Sequence, residues 1–279
     1  MRPALKIGLA LGSGGARGWA HIGVVRALAR LGIRPMAVAG TSIGALVGAM
    51  VAAGCFESFA EAAEALDWRG LASFFAEVRW PRHGLFSGNP VKQWLDAPER
   101  LGGRTIEALP LPFAAVATDL ASAEGVVLRQ GRAVDAVRAS ISIPGVFDPV
   151  VQGGRVLVDG GLVDPIPVAA ARALGAEFVI AVDVNAGGAS SDVPSATKPP
   201  TLLQTLVQTI RMVENGVCRH ALIERPADFL LQPGTGHIQT LDFAGGREGV
   251  ALGEAAVAAA AGALQAAIEA AQTQKGRAP

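Results

Sequence analysis

The sequence is poor in cysteine and in charge, and each shortage excludes a class of protein. Charged residues make up 17% of the 279 residues, with 24 Lys and Arg balanced by 24 Asp and Glu. Without net charge the chain has no global field to attract nucleic acid, so we expect no nucleic-acid partner. Cys55 and Cys218 fit no metal-ligand spacing and no disulfide framework, which is typical of a reducing compartment.

Two apolar runs could be mistaken for a secretory signal or a membrane span. The run behind Arg2 and Lys6 is interrupted at Gly12, too early for a secretory signal, so we expect a cytoplasmic protein, with peripheral contact to the inner membrane face left open. Residues 35–56 carry no charge over 22 positions, long enough to span a bilayer. A glycine-rich interruption divides them into a short strand and a small-residue helix, which favours a buried strand, turn and helix.

Two strand-helix units open the chain. Lys6–Leu11 is a strand without a polar face, followed by a glycine loop and a helix, and Met36–Ala39 is a second such strand, followed by a helix that ends near Gly54. Their succession predicts a parallel sheet with helices on its faces. Further elements are strands at 113–118, 126–129 and 178–184, a hairpin around Gly153-Gly154, and helices at 56–80, 91–95, 134–139, 202–222 and 248–271.

Gly40-Thr41-Ser42-Ile43-Gly44 fits the Gly-x-Ser-x-Gly pattern between a predicted strand and a predicted helix. The small flanking residues allow a turn tight enough to present the Ser42 hydroxyl at the head of the helix. In that context the pattern indicates a nucleophilic serine, although a glycine-rich turn in a helix pair is the structural alternative.

The loop from Gly12 to Gly18 opens a helix, so its backbone N–H groups favour negative charge. A dinucleotide site is disfavoured because Arg17 stands where Gly-x-Gly-x-x-Gly requires glycine and no carboxylate lies near Arg34. A phosphate-binding P-loop would need Gly-Lys-Ser/Thr, which is absent. We therefore expect no cofactor and interpret the loop as an oxyanion hole beside Ser42.

A serine nucleophile needs a base to accept its proton. Of the four histidines, His21, His83 and His220 occupy positions typical of local packing or loops, and His237 in Gly-Thr-Gly-His is the catalytic alternative. Asp159 is the stronger candidate, because it ends a strand and two glycines behind it let the backbone turn away. The other carboxylates at predicted strand ends, Asp119, Asp148, Asp164 and Asp183, are expected to be structural.

Three motifs together resemble the patatin-like phospholipases, in that family's order: the glycine loop ending Arg17-Gly18, the Ser42 elbow and Asp159-Gly160-Gly161. The likeness covers about residues 6–185 and is closest to the bacterial branch. It implies a Ser42–Asp159 dyad without histidine, no cofactor and no metal, and an oxyanion hole formed by the backbone of Gly14, Gly15, Ala16 and Arg17. Ser13 stands where plant members often have glycine, and the family alternates glycine with alanine at position 161.

The resemblance implies a three-layer α/β/α fold with a mostly parallel central sheet. We expect a catalytic core over residues 5–185, a flexible linker over 186–200, and helical segments over 201–272 that pack on the core within the same domain. The insertion carrying three of the four tryptophans and the helix from Leu202 are candidate acyl-chain or membrane surfaces. The stripe along that helix, however, is more typical of core. Its members are Leu203, Leu206, Ile210, Val213 and Val217.

The expected function is hydrolysis of lipid carboxylic esters, phospholipid or lysophospholipid, through an acyl-enzyme on Ser42. Two alternatives stay open. One is an α/β-hydrolase-type esterase that pairs Ser42 with His237, although that fold places several strands before its elbow. The other is a non-catalytic regulator that binds an acyl or anionic ligand at the Arg17 loop.

Overall fold

A mixed sheet forms the centre of the protein. The computed structural model describes residues 5–66, 84–186 and 199–276. Its strands are β1 (Ile7–Leu11), β2 (Ala37–Thr41), β3 (Gly84–Phe86), β4 (Phe113–Asp119), β5 (Gly125–Leu128), β6 (Gly145–Phe147), β7 (Val150–Gln152), β8 (Arg155–Asp159), β9 (Phe178–Val182) and β10 (Phe229–Leu231). The main sheet has the order β10-β9-β1-β2-β4-β8-β7, with β5 also paired to β4, while β3 and β6 form a small separate pair.

The sheet is parallel from β10 to β4 and antiparallel beyond it, where β5, β7 and β8 lie. The mostly parallel α/β sheet predicted from the sequence is therefore confirmed, with an antiparallel margin. The Gly153-Gly154 hairpin is confirmed by the β7–β8 pairing. The strand predicted at 126–129 pairs antiparallel with β4 and begins at Gly125.

Helices cover both faces of the sheet. They are α1 (Ala20–Arg30), α2 (Ile43–Ala53), α3 (Phe56–Glu64), α4 (Asn89–Leu95), α5 (Ala133–Ser140), α6 (Val168–Ala173), α7 (Leu202–Glu224) and α8 (Gly246–Lys275). In β1, Leu9 and Leu11 belong to a core cluster shared with α1, α2 and α8, whereas Ala10 belongs to a second cluster shared with α6 and α7. Alternate side chains of one strand thus enter different cores, which confirms the three layers.

The uncharged stretch at residues 35–56 folds as expected. It forms β2 and α2, both almost entirely buried, and Gly54 ends α2 in the left-handed conformation. The helix predicted at 56–80 is described only as α3, since residues 67–83, with Trp68 and Trp80, lie outside the described part. The linker predicted at 186–200 also falls largely outside it, so the division of the chain into core and linker stays a prediction.

The two C-terminal helices pack differently. Helix α7 buries Val207, Arg211, Glu214 and Cys218, whereas Val213 of the predicted apolar stripe is 45% exposed. The stripe prediction is therefore only partly confirmed: Leu203 packs against the cluster that contains Val207, but the fully buried positions of α7 lie one residue after those of the stripe and include two charged residues. Helix α8 packs along α1, and the stretch Phe243–Lys275 that contains it has the length and composition to cross a membrane.

Candidate active site

Ser42 lies on the turn between β2 and α2, where the backbone is strained. Its φ of 55° and ψ of −125° are rarely adopted by residues with a side chain. Gly40 and Gly44 make the turn possible. A Cβ added at Gly40 would lie 2.3 Å from the carbonyl oxygen of Gly44, and one at Gly44 would lie 2.1 Å from that of Leu11. This conformation presents the Ser42 hydroxyl at the start of α2, as in a nucleophile elbow.

Asp159 accepts a hydrogen bond from Ser42 at the end of β8. The distance from Ser42 Oγ to Asp159 Oδ2 is 2.5 Å, and the two residues are 4% and 1% exposed. The other carboxylate oxygen, Oδ1, accepts a hydrogen bond from the amide of Gly161 at 2.8 Å. Both oxygens are thus engaged, which orients Oδ2 toward the hydroxyl as a general base requires.

Burial changes the basicity of this carboxylate. It raises the pKa of Asp159 from 3.8 to about 6, although the hydrogen bonds from Ser42 and Gly161 act in the opposite direction. Asp159 is therefore mostly ionised at neutral pH and is a stronger base than an exposed aspartate. A carboxyl whose pKa is shifted by burial and that lies beside a potential nucleophile is common in active sites.

A layer of hydroxyls supports the pair from behind. The backbone N–H of Ser42 donates to Ser140 Oγ at 2.8 Å, and that hydroxyl donates to the carbonyl of Val116 at 2.6 Å. Thr118 Oγ1 donates to the carbonyl of Asp159 at 2.8 Å. These roles cannot be predicted from the sequence, because a serine or threonine that hydrogen-bonds to the backbone has no distinguishing pattern.

The glycine loop reaches the same place from the end of β1. Gly14 and Gly15 line the space in front of Ser42. The amide of Ala16, by contrast, donates to the carbonyl of Thr240 at 2.9 Å. The expectation that Ala16 contributes to an oxyanion hole is therefore wrong for this structure, because its N–H is already committed to another segment.

The side chain of Arg17 organises the loop. It is 1% exposed and donates to Asn185 Oδ1 at 2.9 Å, to the carbonyl of Ile238 at 2.6 Å and to Thr240 Oγ1 at 2.7 Å. These contacts join the loop to two later segments of the chain. They favour a role for this side chain in orienting the loop over direct contact with substrate.

The histidines have other partners. His21 is fully buried, its pKa is lowered to about 4 by burial, and its Nε2 donates to the carbonyl of Gly12 at 2.8 Å. His237 is bonded to Glu248 at 2.7 Å and is 57% exposed, while His220 bonds within α7. His83 lies outside the described residues. Within the described part, no group of three or more His, Cys, Asp or Glu side chains could hold a metal ion.

An apolar cavity opens from Ser42. It encloses about 790 Å³ of empty space, part of it open to solvent. Apart from Ser42, the lining formed by described residues is hydrophobic: Gly15, Trp19, Ile43, Leu46, Phe59, Ala62, Ala63, Leu66, Val91, Trp94, Ile141, Ile143, Phe147 and Phe243. Trp94, the described tryptophan of the predicted insertion, is among them. A long apolar ligand could therefore reach the hydroxyl without crossing polar groups.

Residues 9–172 match the family model described as patatin-like phospholipase, which is more than half of the chain. The chain belongs to the patatin-like phospholipase family. The matched residues include the glycine loop, the Ser42 elbow and Asp159-Gly160-Gly161.

Relatives extend this result. An NTE family protein of Mycobacterium bovis is 41% identical over 196 residues, which are 69% of this chain and 53% of that protein. Patatin-like phospholipase domain-containing protein 7 of Rattus norvegicus is 33% identical over 85% of this chain and 19% of its own length. Lysophospholipase NTE1 of Pyricularia oryzae is 34% identical over 68% of this chain and 13% of its own. The chain thus matches about half, or less, of the length of these relatives.

The same fold occurs in a solved structure. VipD from Legionella pneumophila superimposes with a TM-score of 0.52 at 14% identity, covering 92% of this chain and 67% of that one. This similarity shows the fold alone.

Two charged residues of this patatin-like chain were not anticipated at the site. Arg211 and Glu214 on α7 are 3% and 8% exposed and line a second, smaller cavity beside Ser42 and Asp159. Burial, followed by the negative charge of Asp159, raises the pKa of Glu214 to about 8, while Arg17 and Arg211 lower it. The i, i+3 spacing of Arg211 and Glu214 is visible in the sequence. The apolar stripe of α7, however, predicted a buried face that is shifted by one residue.

Proposed function

We propose that this chain is a serine acyl hydrolase that cleaves carboxylic esters of lipids, either phospholipids or lysophospholipids. The observation that carries the proposal is the 2.5 Å hydrogen bond between two buried side chains, the Ser42 hydroxyl on a strained elbow and the Asp159 carboxylate. A lipid substrate is supported by the apolar cavity and by relatives that are named as a phospholipase domain protein and a lysophospholipase.

Acylation would begin with Asp159. Its Oδ2 accepts the proton of Ser42 as Oγ attacks the ester carbonyl, and the developing oxyanion is stabilised by the backbone N–H groups of Gly14 and Gly15. When the tetrahedral intermediate collapses, the bond from the carbonyl carbon to the alcohol oxygen breaks. Asp159 returns the proton to that oxygen, so the alcohol leaves neutral and the acyl group stays on Ser42.

Deacylation would use the same carboxylate. A water molecule takes the place of the alcohol, Asp159 accepts one of its protons, and the hydroxide attacks the acyl carbonyl. Collapse releases the fatty acid and restores the Ser42 hydroxyl with the proton from Asp159. A single carboxylate therefore serves both steps, and no histidine is needed.

The apolar cavity is the proposed site of the acyl chain. Leu46 lies one helical turn after Ser42, and both line the cavity together with Phe59 and Trp94. Burying the chain among these side chains supplies hydrophobic binding energy of about 25 cal/mol per Å² of apolar surface. Contact of the protein with a bilayer stays a prediction.

The two alternatives are less well supported. An esterase pairing Ser42 with His237 would need the imidazole near Oγ, but His237 bonds to Glu248 and lines neither cavity that contains Ser42. A non-catalytic regulator would not require a carboxylate oriented onto the serine hydroxyl, which is the feature that distinguishes this site.

The test is hydrolysis of p-nitrophenyl esters by wild type, Ser42→Ala, Asp159→Asn and His237→Ala. We expect the first two variants to lose activity by at least about 10³-fold, as removal of a nucleophile or its base does elsewhere. His237→Ala, the matched control, keeps wild-type activity. Full activity in Asp159→Asn together with loss in His237→Ala would refute the dyad, and an inactive wild type would favour the regulator.

A further inference from the structure

The second cavity at the nucleophile differs in chemistry from the apolar one. It contains about 320 Å³ of empty space, part of it open to solvent, and shares Ser42, Gly15 and Ile143 with the first. We name it the polar chamber, defined by its lining: Gly14, Gly15, Ser42, Ile143, Asp159, Val207, Ile210, Arg211, Glu214 and Thr240. If the acyl chain occupies the apolar cavity, the alcohol half of the ester extends from Ser42 into the polar chamber.

One face of α7 provides the far wall of this chamber. Val207, Ile210, Arg211 and Glu214 follow the i, i+3, i+4 and i+7 positions that place side chains on one side of a helix. The Glu214 carboxyl lies against the Asp-Gly-Gly turn, because a Cβ at Gly161 would come within 2.0 Å of Glu214 Oε1. Glycine at position 161 thus leaves the room that Glu214 fills.

The charges in the chamber change during the proposed reaction. At neutral pH, Glu214 is mostly protonated, because burial and the charge of Asp159 raise its pKa to about 8. When Asp159 accepts the serine proton, the chamber loses the negative charge of that carboxylate. The buried guanidinium of Arg211 is then the positive charge in the described lining. An anionic group in the departing alcohol would interact favourably with it at that stage.

We propose that the polar chamber binds the phosphate of the leaving alcohol and that Arg211 is the residue that recognises it. This inference rests on the proposed acyl hydrolase function and assigns recognition of the substrate phosphate to one side chain. A guanidinium suits the role because its planar fork donates two parallel hydrogen bonds to phosphate. In a lysophospholipid only the glycerol carbons separate the ester oxygen from the phosphate, which matches a small chamber directly beside Ser42.

The test compares lysophosphatidylcholine with the monoacylglycerol of the same acyl chain. For wild type, we expect a higher kcat/KM on the phospholipid. In Arg211→Gln, the ratio of the two kcat/KM values should fall about 10- to 100-fold, the effect of losing a charged hydrogen-bond donor. Arg211→Lys keeps the charge without the fork and should give a smaller fall. Arg219→Gln is the matched control, since Arg219 is exposed on the same helix.

Inhibition assays identify the source of the phosphate. Glycerol 3-phosphate should inhibit wild-type hydrolysis of a p-nitrophenyl ester competitively and more strongly than inorganic phosphate, and Arg211→Gln should weaken that inhibition. Stronger inhibition by inorganic phosphate would overturn the assignment of the chamber to a lipid alcohol.

If Arg211→Gln and Arg211→Lys lower kcat/KM equally on lysophosphatidylcholine and on the monoacylglycerol, Arg211 only supports the dyad. That result would overturn the inference. Activity on p-nitrophenyl esters that persists in Ser42→Ala would instead refute the proposed function. The two failures are therefore distinguishable.

Discussion

Replacing Asp159 by asparagine should stabilise the protein while abolishing its activity. In the folded protein, burial raises the pKa of Asp159 from 3.8 to about 6. At 1.36 kcal/mol per pKa unit, the ionised carboxylate then costs the folded state about 3 kcal/mol above neutral pH. Asparagine is neutral and nearly isosteric, and its side-chain oxygen can still accept a hydrogen bond from the Gly161 amide.

The pH dependence gives the sign and size of the effect. Because the folded pKa is raised, the folded state binds more protons than the unfolded state between about pH 4 and 6, and wild-type stability falls as pH rises through that window. By the same linkage relation, the cost is about 3 kcal/mol at pH 8 and about half as large at pH 5. The stability advantage of Asp159→Asn should therefore grow by about 1 kcal/mol between these pH values, and a constant contribution from altered hydrogen bonding does not change this trend.

Urea unfolding at pH 5, 6, 7 and 8 measures this difference, with thermal unfolding as a second readout. For a domain of this size, about 1 kcal/mol corresponds to roughly 2–4 °C in Tm. Asp242→Asn, at an exposed site, controls for loss of a carboxylate and should give no comparable trend. An advantage of Asp159→Asn that is absent at every pH, or that shrinks toward pH 8, would refute the assignment of a buried, ionised base.

The elbow, the Asp-Gly-Gly turn, the apolar cavity and the ionisation of Asp159 can each be tested by one further measurement. Ser42→Gly should be about 1–2 kcal/mol more stable than Ser42→Ala in urea unfolding, because only glycine adopts the elbow conformation without strain; equal stabilities would contradict the strain. Gly161→Ala should destabilise wild type and cost less in Glu214→Ala, because the added methyl meets the Glu214 carboxyl in addition to Ser13 Cβ at 3.1 Å; additive effects in this double-mutant cycle would exclude the contact with Glu214. Leu46→Trp should lower kcat/KM for long p-nitrophenyl esters more than for the acetate, since it fills the cavity; a uniform loss would place the acyl chain elsewhere. The wild-type kcat/KM should rise with pH through about 6 as Asp159 ionises, and a flat profile from pH 5 to 8 would argue against it.

The early part of the fold could be predicted because its signals are local. Uninterrupted apolar strands, a glycine loop and the elbow follow one another within the first 54 residues, and each has a steric reason visible in the sequence. Gly40 and Gly44 illustrate this, since the close backbone contacts that the pattern implies are present. The antiparallel margin could be anticipated only at the hairpin, where Gly153-Gly154 marks the turn.

The rest of the site depends on contacts between distant segments. Ala16 was expected to serve the oxyanion, but its amide bonds to Thr240, more than 200 residues later. The buried face of α7 was misassigned because hydrophobic periodicity counts apolar residues, and this face contains Arg211 and Glu214. The buried carboxyl of Glu214 faces the cations of Arg17 and Arg211, which offset part of the cost of its burial, and no pattern within the helix reveals the contribution of Arg17 from the glycine loop.

Ser42 carries the acyl group in the proposed reaction, and intact-mass spectrometry of the acyl-enzyme can detect that group on the protein. Protein mixed with a long-chain p-nitrophenyl ester and quenched in acid within the first turnovers should gain the mass of one acyl group, and peptide mapping should place it on Ser42. Asp159→Asn should acylate far more slowly, and Ser42→Ala should remain unmodified. Turnover by wild type with the acyl group on another residue, or acylation of Ser42→Ala, would refute Ser42 as the nucleophile.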